Sequence, residues 1–201
     1  MTAPIAAVTP WLDELEARAA DPVGVFRNIE AVRFIAVRRE VRRRMAPGSA
    51  PLVVPQLAAI ADALVAMIDR MPDPALLAPG GEGDWNVAEA IGHTAHARGG
   101  LSTAGALAAI GRWPAAAPRV VPGVPGPAAA TRDDLRHRIE LSQKVVERAA
   151  RSIAGHETDP CPLEHPLVGR LRCGEWLLFS GVHDLMHLEQ LHEIEGRFRE
   201  D

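Results

Sequence analysis

The chain has 201 residues, which is long enough for one domain with a sizeable core and short for two ordinary ones. Its 22 Lys and Arg residues stand against 26 Asp and Glu residues, a formal net charge of -4, so no overall basic field would draw it to nucleic acid. Tyrosine is absent, alanine is abundant and β-branched runs are scarce, and this composition favours helices over strands.

The spacing of the cysteines and the first residues of the sequence indicate the cellular compartment. The two cysteines, Cys161 and Cys173, do not stand in a C-x-x-C spacing, and no secretory signal pattern opens the sequence. We therefore expect free thiols and a cytoplasmic protein. The longest apolar stretches, such as LAAIADALVAMI, are interrupted by charge before the roughly eighteen residues of a membrane span, so we expect a soluble protein without a membrane partner.

The first fifty residues are predicted to form a helical N-terminal extension. Pro10 and the dipeptide Asp21-Pro22 separate a short helix near 11–20 from a longer one near 25–45. The longer helix ends in the basic run RREVRRRM, which suits the negative end of a helix dipole and indicates a solvated face. A partner-binding role for this run is the alternative. The stretch APGSAP at 46–51 then indicates a linker.

Four longer segments after the linker have apolar residues at helical spacing. They read PQLAAIADALVAMIDRM, WNVAEAIGHTAHARGGLSTAGALAAIGRW, LRHRIELSQKVVERAARSI and CGEWLLFSGVHDLMHLEQLHEIEGRF. Asn86 with Glu89, and Thr131 with Asp134, have the spacing of helix caps. Segments rich in proline and glycine separate the helices and are predicted to be irregular: 72–83, 113–130 and 155–170. The prediction is an all-α protein, with an extension over 1–50 and a four-helix bundle over 51–201.

Three histidines stand close together in VHDLMHLEQLH, residues 182–192. At about 100° per residue, His183 and His187 share the apolar face of the last helix, whereas the neighbouring glutamates point away. Imidazoles at positions i and i+4 lie about 5–6 Å apart at Cβ and can reach a common ion. His192 lies on the opposite side and is expected at the surface.

His93 is the third candidate ligand. On the second long helix it shares a face with a strip of small residues, Ala90, Ala97, Gly100 and Ala104, which lets another helix approach and leaves room beside the imidazole. Three neutral imidazoles suit zinc, nickel, iron or copper, and three protein ligands with a free position are typical of catalytic zinc. The alternative is that each buried histidine only hydrogen-bonds to a neighbouring helix.

Other histidine patterns give weaker predictions. His96 is less well aimed than His93 and is expected beside the site or at the surface, while His137, His156 and His165 have no comparable spacing. A zincin motif needs Glu directly after its first histidine, and Asp184 stands there. A di-iron bundle needs two E-x-x-H motifs facing inward, and the single pair with that spacing, Glu189 and His192, lies on the wrong face.

The runs WNVAEAIGH, HPLVGRLRCGEW and HDLMHLEQ, in this order, resemble the DinB/YfiT-like superfamily. Its members combine a W-[ST]-x-x-E-x-x-x-H helix start, an H-P-x-x-G loop and a later H-x-x-x-H-x-x-Q helix. The resemblance covers about 53–198 and implies a four-helix bundle, in many members a homodimer, with a divalent metal on His93, His183 and His187. Asn86 stands where Ser or Thr is usual, which preserves the cap chemistry. For the N-terminal extension the resemblance implies no role.

The resemblance also implies a relation to thiol-dependent enzymes, including mycothiol-dependent maleylpyruvate isomerase and the bacillithiol transferases, alongside metal-dependent hydrolases. A metal on three imidazoles, zinc or nickel first and iron next, can lower the pKa of a thiol or a water molecule at its open position. The function predicted first is an S-transferase that joins a low-molecular-weight thiol to a small-molecule substrate. A hydrolase that activates water and a non-catalytic interaction module are the alternatives.

Two further residues are candidates for supporting roles in such a site. Glu89, one turn before His93, is the nearest general base by spacing, although a role in the capping box is the alternative and is favoured. Gln190 stands three residues after His187 and is predicted to orient that imidazole or a bound water molecule.

Overall fold

The structure is a computed structural model that describes residues 9–29, 34–80 and 83–200, with the side chains of 34, 35, 199 and 200 excepted. This part of the chain contains seven α-helices and one β-hairpin. The helices are α1 (Pro10–Glu16), α2 (Ala20–Phe26), α3 (Phe34–Arg44), α4 (Ala50–Arg70), α5 (Val87–Ala109), α6 (Arg132–Ile153) and α7 (Cys173–Glu200). The strands are β1 (Pro160–His165) and β2 (Gly169–Arg172), and a 3₁₀ helix, Asp73–Leu77, follows α4.

Helices α4 to α7 form the predicted four-helix bundle, with α5 packed between α6 and α7 and with α4 packed against α6 and α7. The all-α prediction is therefore confirmed. Both predicted capping boxes are present, at Asn86 with Glu89 and at Thr131 with Asp134. Gly181 allows a close approach of α7 to α4, because a Cβ atom there would lie 2.4 Å from Cδ2 of Leu57. The caps and this contact set where α5 and α7 begin and how closely the bundle packs.

From the sequence we expect no segment long and apolar enough to span a membrane, and helix α4 differs from that expectation. In the described chain it is the one helix that is long and apolar enough to cross a membrane by length and composition, because the two acidic residues within it, Asp62 and Asp69, do not interrupt its apolar face. Leu57, Ile60 and Leu64 on that face are fully buried in the bundle. This position is typical of the core helix of a soluble protein.

The N-terminal helices pack onto the bundle. Helix α2 contacts α4 and α7, α1 contacts α2 and α4, and α3 contacts α7, and their apolar residues, including Leu12, Val23 and Val41, belong to the same hydrophobic core as the bundle. The basic end of α3 is predicted from the sequence to be a solvated face, but one of its side chains contacts the bundle. Arg42 binds the buried carboxylate of Glu175 on α7 at 2.8 Å. The division at residue 50 stays a prediction.

The helix breaks in this region lie on both sides of the predicted one: α1 ends at Glu16, inside the helix predicted near 11–20, and a second break follows α2. Asp21-Pro22 lies within the first turn of α2, where the missing N–H of proline leaves no hydrogen bond unmade. Helix α2 ends at Phe26, and the structure places a turn at Arg27 and Asn28 within the predicted helix at 25–45. Residues 30–33 of that predicted helix lie outside the described residues. The C-terminal part of the prediction agrees with α3.

Segment 155–170, predicted to be irregular, contains most of the β-hairpin. The strands pair antiparallel, with Glu164 opposite Arg170 and His165 opposite Gly169. Gly169 has φ of +70°, a conformation that favours glycine. The proline-rich segment 113–130 is irregular as predicted and is held to β1 by a hydrogen bond of 2.9 Å from the Val121 amide to the Glu164 carbonyl. The hairpin therefore holds the proline-rich segment beside α5.

Candidate metal centre

Three imidazoles converge between α5 and α7. His93 lies on α5 and His183 and His187 lie one turn apart on α7, and one nitrogen from each ring lies within 4.8 Å of the others. The ring centroids are 5.2 Å apart for His93 and His183, 5.3 Å for His93 and His187, and 4.7 Å for His183 and His187. The nitrogen spacing is wider than the roughly 3–4 Å that zinc bonds of about 2.0–2.1 Å would give. The predicted convergence is nevertheless present.

Hydrogen bonds orient two of these rings. Nδ1 of His93 donates to the carbonyl oxygen of Val124 at 2.8 Å, and Nδ1 of His187 donates to Oε1 of Gln190 at 3.0 Å. Both partners are oxygen acceptors, so Nδ1 carries the proton in each ring and the lone pair is on Nε2. Gln190 thus makes the predicted contact with His187, while its role in a reaction stays a prediction.

The third ring is the least satisfied. Nδ1 of His183 is buried and has no hydrogen-bond partner among the described residues. Burial, with smaller contributions from the neighbouring His187 and His93, holds the pKa of His183 well below its usual value, so the ring is neutral at neutral pH. An unpartnered buried polar atom costs roughly 1–3 kcal/mol, and a bound cation would offset part of that cost. Three converging imidazoles, with the His183 ring neutral, therefore fit a divalent metal.

Two cavities of different character adjoin the three histidines. The cavity on the His93 side, here called the apolar cavity, has a volume of about 330 Å³. Its wall includes Ala97, Gly100, Ala104, Trp113, Val121 and Leu163. The cavity on the α7 side, the polar cavity, has a volume of about 480 Å³ and is bordered by His183 and His187. Its wall also includes His165, Phe179, Glu189, Gln190, Glu193 and Arg197. The strip of small residues thus leaves the predicted space beside His93.

His165 is a residue of this region that spacing did not predict. Its ring lies edge-on to Phe179, with 5.2 Å between centroids, and lines the polar cavity together with His183 and His187. Burial lowers the pKa of His165. The H-P-x-x-G motif, in which His165 is the first residue, was the signal that could have identified it.

The remaining histidines lie away from the cluster or at its edge. His96 is exposed at the rim of the apolar cavity, and His137 and His156 are exposed elsewhere. His192, expected at the surface, is partly covered because its ring stacks on Trp11 of α1 at 4.7 Å between centroids. The covering helix belongs to the N-terminal segment, for which the sequence indicated no contact.

Glu89 takes part in the cap of α5. Its carboxylate accepts the amide of Asn86 at 2.9 Å, and its own amide donates to Oδ1 of Asn86 at 2.8 Å. This geometry supports the capping alternative. The general-base role proposed for Glu89 stays a prediction.

A close backbone contact positions the acceptor of His93. A Cβ atom on Gly126 would lie 2.5 Å from Cα of Gly92, and the Gly126 amide donates to the Glu89 carbonyl at 2.9 Å. Because Gly126 faces Gly92, the proline-rich segment contacts α5 closely at Gly126, which is two residues after Val124. Trp85, at 4.9 Å between centroids, packs against the His93 ring on another side. The segment and Trp85 together restrict the orientation of His93.

A second polar cluster lies between the same two helices. Arg98 of α5 forms an ion pair with Asp184 of α7, and both side chains are fully buried. The guanidinium also donates to the Leu57 carbonyl at 2.7 Å and to Gln143. Burial raises the pKa of Asp184 to about 6, while Arg98 acts in the opposite direction. Asp184 directly follows His183 in the sequence, but helical periodicity could not predict that Arg98 would be the partner of Asp184.

Both cysteines are free and buried. Burial raises the pKa of Cys161, and burial with the nearby Cys161 and Asp159 raises the pKa of Cys173 to about 12. Such thiols are protonated and unreactive at neutral pH. The converging group of donor atoms in the described chain consists of imidazole nitrogens alone.

A four-helix bundle with three converging imidazoles from two of its helices defines a class of helical proteins whose site is compatible with a divalent metal. The family model of the DinB superfamily matches residues 56–191, and the chain belongs to this superfamily. No curated protein matches the chain. No solved structure matches it either.

Proposed function

We propose that the protein is a metal-dependent S-transferase that joins a low-molecular-weight thiol to an electrophilic small molecule. The observation that carries the proposal is the position of three converging imidazoles between an apolar and a polar cavity. A two-substrate reaction needs two binding spaces that meet at the reactive centre, and this arrangement supplies them.

A divalent cation on the three imidazoles, when bound, supplies Lewis acidity that lowers the pKa of a thiol and so favours the nucleophilic thiolate at neutral pH. The residues of the chain hold the imidazoles for this task. Val124 and Gln190 keep the Nδ1 proton of His93 and His187 in place, and burial lowers the pKa of His183 and so keeps that ring neutral.

The reaction balances as a substitution. The sulfur of the thiol forms a bond to an electrophilic carbon of the second substrate, and the bond from that carbon to its leaving group breaks with the electron pair on the leaving group. The thiol proton and the leaving anion are released together as the conjugate acid. No oxidant or reductant is needed, which agrees with a site built from imidazoles and two unreactive cysteines.

The experiment combines metal analysis with turnover. Protein purified without a histidine tag is analysed by mass spectrometry for bound metal, then loaded with zinc or nickel and given 1-chloro-2,4-dinitrobenzene with cysteine, glutathione, mycothiol or bacillithiol in turn. We expect metal-dependent, thiol-dependent release of chloride that His187→Ala abolishes and His137→Ala, a change on an exposed side chain of α6, leaves intact.

Three results would contradict the proposal. Release of chloride at the same rate from metal-free protein would exclude metal dependence. Hydrolysis of 4-nitrophenyl esters without thiol, at a rate far above the thiol reaction, would favour a hydrolase. A folded protein that binds the metal and turns over none of these substrates would favour a non-catalytic module.

A further inference from the structure

We infer that the apolar cavity binds the electrophile, and that this substrate is neutral and largely apolar or aromatic. This inference rests on the proposed S-transferase function and assigns one of its two substrates to one of its two cavities. His93, one of the three converging histidines, forms part of the wall, so a molecule in the cavity reaches the reactive centre directly.

The chemistry of the wall selects the substrate. In the described chain, no Asp, Glu, Lys or Arg lines the apolar cavity, and its polar groups are the side chains of His93, His96 and Thr103 and the indole N–H of Trp113, a buried donor without a hydrogen-bond partner in that part of the chain. A charged substrate would lose its hydration there without gaining an ion pair, which is costly in an apolar environment. The polar cavity, in contrast, has Glu189, Glu193 and Arg197 in its wall. A polar or charged thiol therefore matches the polar cavity, and a neutral electrophile matches the apolar one.

The wall is also built to be rigid. Pro114, Pro118 and Pro122 line the side formed by the proline-rich segment, and proline fixes the backbone dihedral φ. The opposite side is helix α5, and the segment is tied to β1 at Val121. A preformed site loses little conformational entropy when a ligand binds. A cavity of this volume lies in the usual range for small-molecule sites.

Gly100 provides a variant that adds a side chain at the wall of the apolar cavity, at an exposed position of α5. It lies in the cavity wall, and a Cβ atom there would meet no heavy atom within 4 Å. A leucine at this position on α5 extends into open space and removes a helix-interior glycine, a change that favours the helix by propensity. Gly196→Leu on α7 is the matched control, because Gly196 is exposed, is also helical and has no neighbour within 4 Å of a Cβ atom.

The test measures binding and turnover separately. Binding is followed by titrating ¹⁵N-labelled, zinc-loaded protein with 4-nitroanisole, a neutral aromatic probe, and observing the indole N–H signal of Trp113, assigned with Trp113→Phe. We expect a saturable shift in the wild type and in Gly196→Leu, and a dissociation constant higher by roughly tenfold or more in Gly100→Leu. In turnover, Gly100→Leu should raise the KM for 1-chloro-2,4-dinitrobenzene by a similar factor and leave the KM for the thiol unchanged.

The outcomes distinguish this inference from the function on which it rests. An active wild type that gives no saturable shift, or a Gly100→Leu variant in which the thiol KM rises instead, would overturn the cavity assignment and leave the S-transferase in place. Saturable probe binding by a protein that turns over no substrate would overturn the S-transferase and the assignment of an electrophile with it. A wild-type dimer that Gly100→Leu dissociates, with no probe binding, would show that a second copy of the chain covers the cavity.

Discussion

Helices α5 and α7 bury two polar clusters side by side, and the two differ in whether opposite charges meet within the cluster. In the first cluster, Arg98 binds Asp184 and donates to the Leu57 carbonyl and to Gln143. In the second, three imidazoles turn nitrogen atoms toward one another, next to two cavities. Both clusters lie in the interface between α5 and α7. His183 and Asp184 are adjacent in α7 but belong to different clusters.

This comparison separates a structural role from a functional one. The Arg98–Asp184 pair joins α5 and α7 directly, and its opposite charges compensate each other, although Nε of Arg98 and Oδ1 of Asp184 have no hydrogen-bond partner in the described chain. The three imidazoles include no opposite charges, and Nδ1 of His183 has no hydrogen-bond partner in the described chain. A cluster that is costly without an occupant and that adjoins cavities indicates a binding site. The predictions below test this division.

The largest expected effect is on stability, from Arg98→Met. This change removes the partner of a fully buried carboxylate, and breaking a buried pair from one side costs roughly 3–5 kcal/mol of unfolding free energy. Denaturant unfolding of metal-free protein measures it. Arg18→Met is the control, since the Arg18–Asp62 pair is more than half exposed and such pairs contribute roughly 0–1 kcal/mol. Equal effects of the two changes would remove the structural role assigned to Arg98.

His187→Ala should have the opposite effect: it should change the stability of the metal-free protein little and remove the stabilisation by metal. Without metal we expect the cooperative unfolding transition to remain, with a small change in the free energy of unfolding. The His187 ring belongs to the histidine cluster, in which Nδ1 of His183 has no partner among the described residues. With zinc at about one hundred times its dissociation constant, the wild type should gain about 2.7 kcal/mol by mass action and the variant should gain none. Calorimetry with and without zinc measures this difference. Failure of both metal-free proteins to fold would show that the site is structural.

Gly126→Ala should weaken metal binding from outside the three histidines. The added Cβ atom would lie 2.5 Å from Cα of Gly92, so the proline-rich segment must move and carry the Val124 carbonyl away from His93. Loss of a hydrogen-bond partner of a metal ligand costs roughly 10–100-fold in affinity. Zinc titration against a competing chelator measures the affinity, and the NMR signal of the His93 Nδ1 proton reports the hydrogen bond itself.

The control for Gly126→Ala lies in the same segment. A Cβ atom on Gly123 would meet no heavy atom within 4 Å, so Gly123→Ala should leave both zinc affinity and the Nδ1 proton signal unchanged. If Gly126→Ala also leaves the affinity unchanged although the proton signal is lost, the Val124 carbonyl has no part in metal binding.

The smallest expected effect comes from Glu89, and it distinguishes a cap from a base. Glutamine can replace glutamate in a capping box, so Glu89→Gln should keep both stability and activity. Glu89→Ala should lose about 0.5–1 kcal/mol of unfolding free energy, near the lower end for helix caps, and keep the zinc affinity. Loss of turnover in a fully stable Glu89→Gln protein would instead support the general-base role.

The main helices and the histidine cluster could be predicted from the sequence because they depend on local periodicity. The apolar spacing in α4 to α7, the caps at Asn86 and Thr131, and the i, i+4 pair His183 and His187 are properties of single helices. The β-hairpin was missed because its short strands are punctuated by proline and stabilised by pairing with each other and with the proline-rich segment.

The tertiary structure decided what each polar residue contacts. The sequence by itself determined that His93, His183 and His187 face the interior, since the rotation per residue of a helix is constant. It could not determine that Val124 would accept from His93 or that Arg98 would meet Asp184 across the bundle. These contacts join residues 31 and 86 positions apart, and they form only after the helices have packed, because no local pattern encodes the partner of a long-range hydrogen bond.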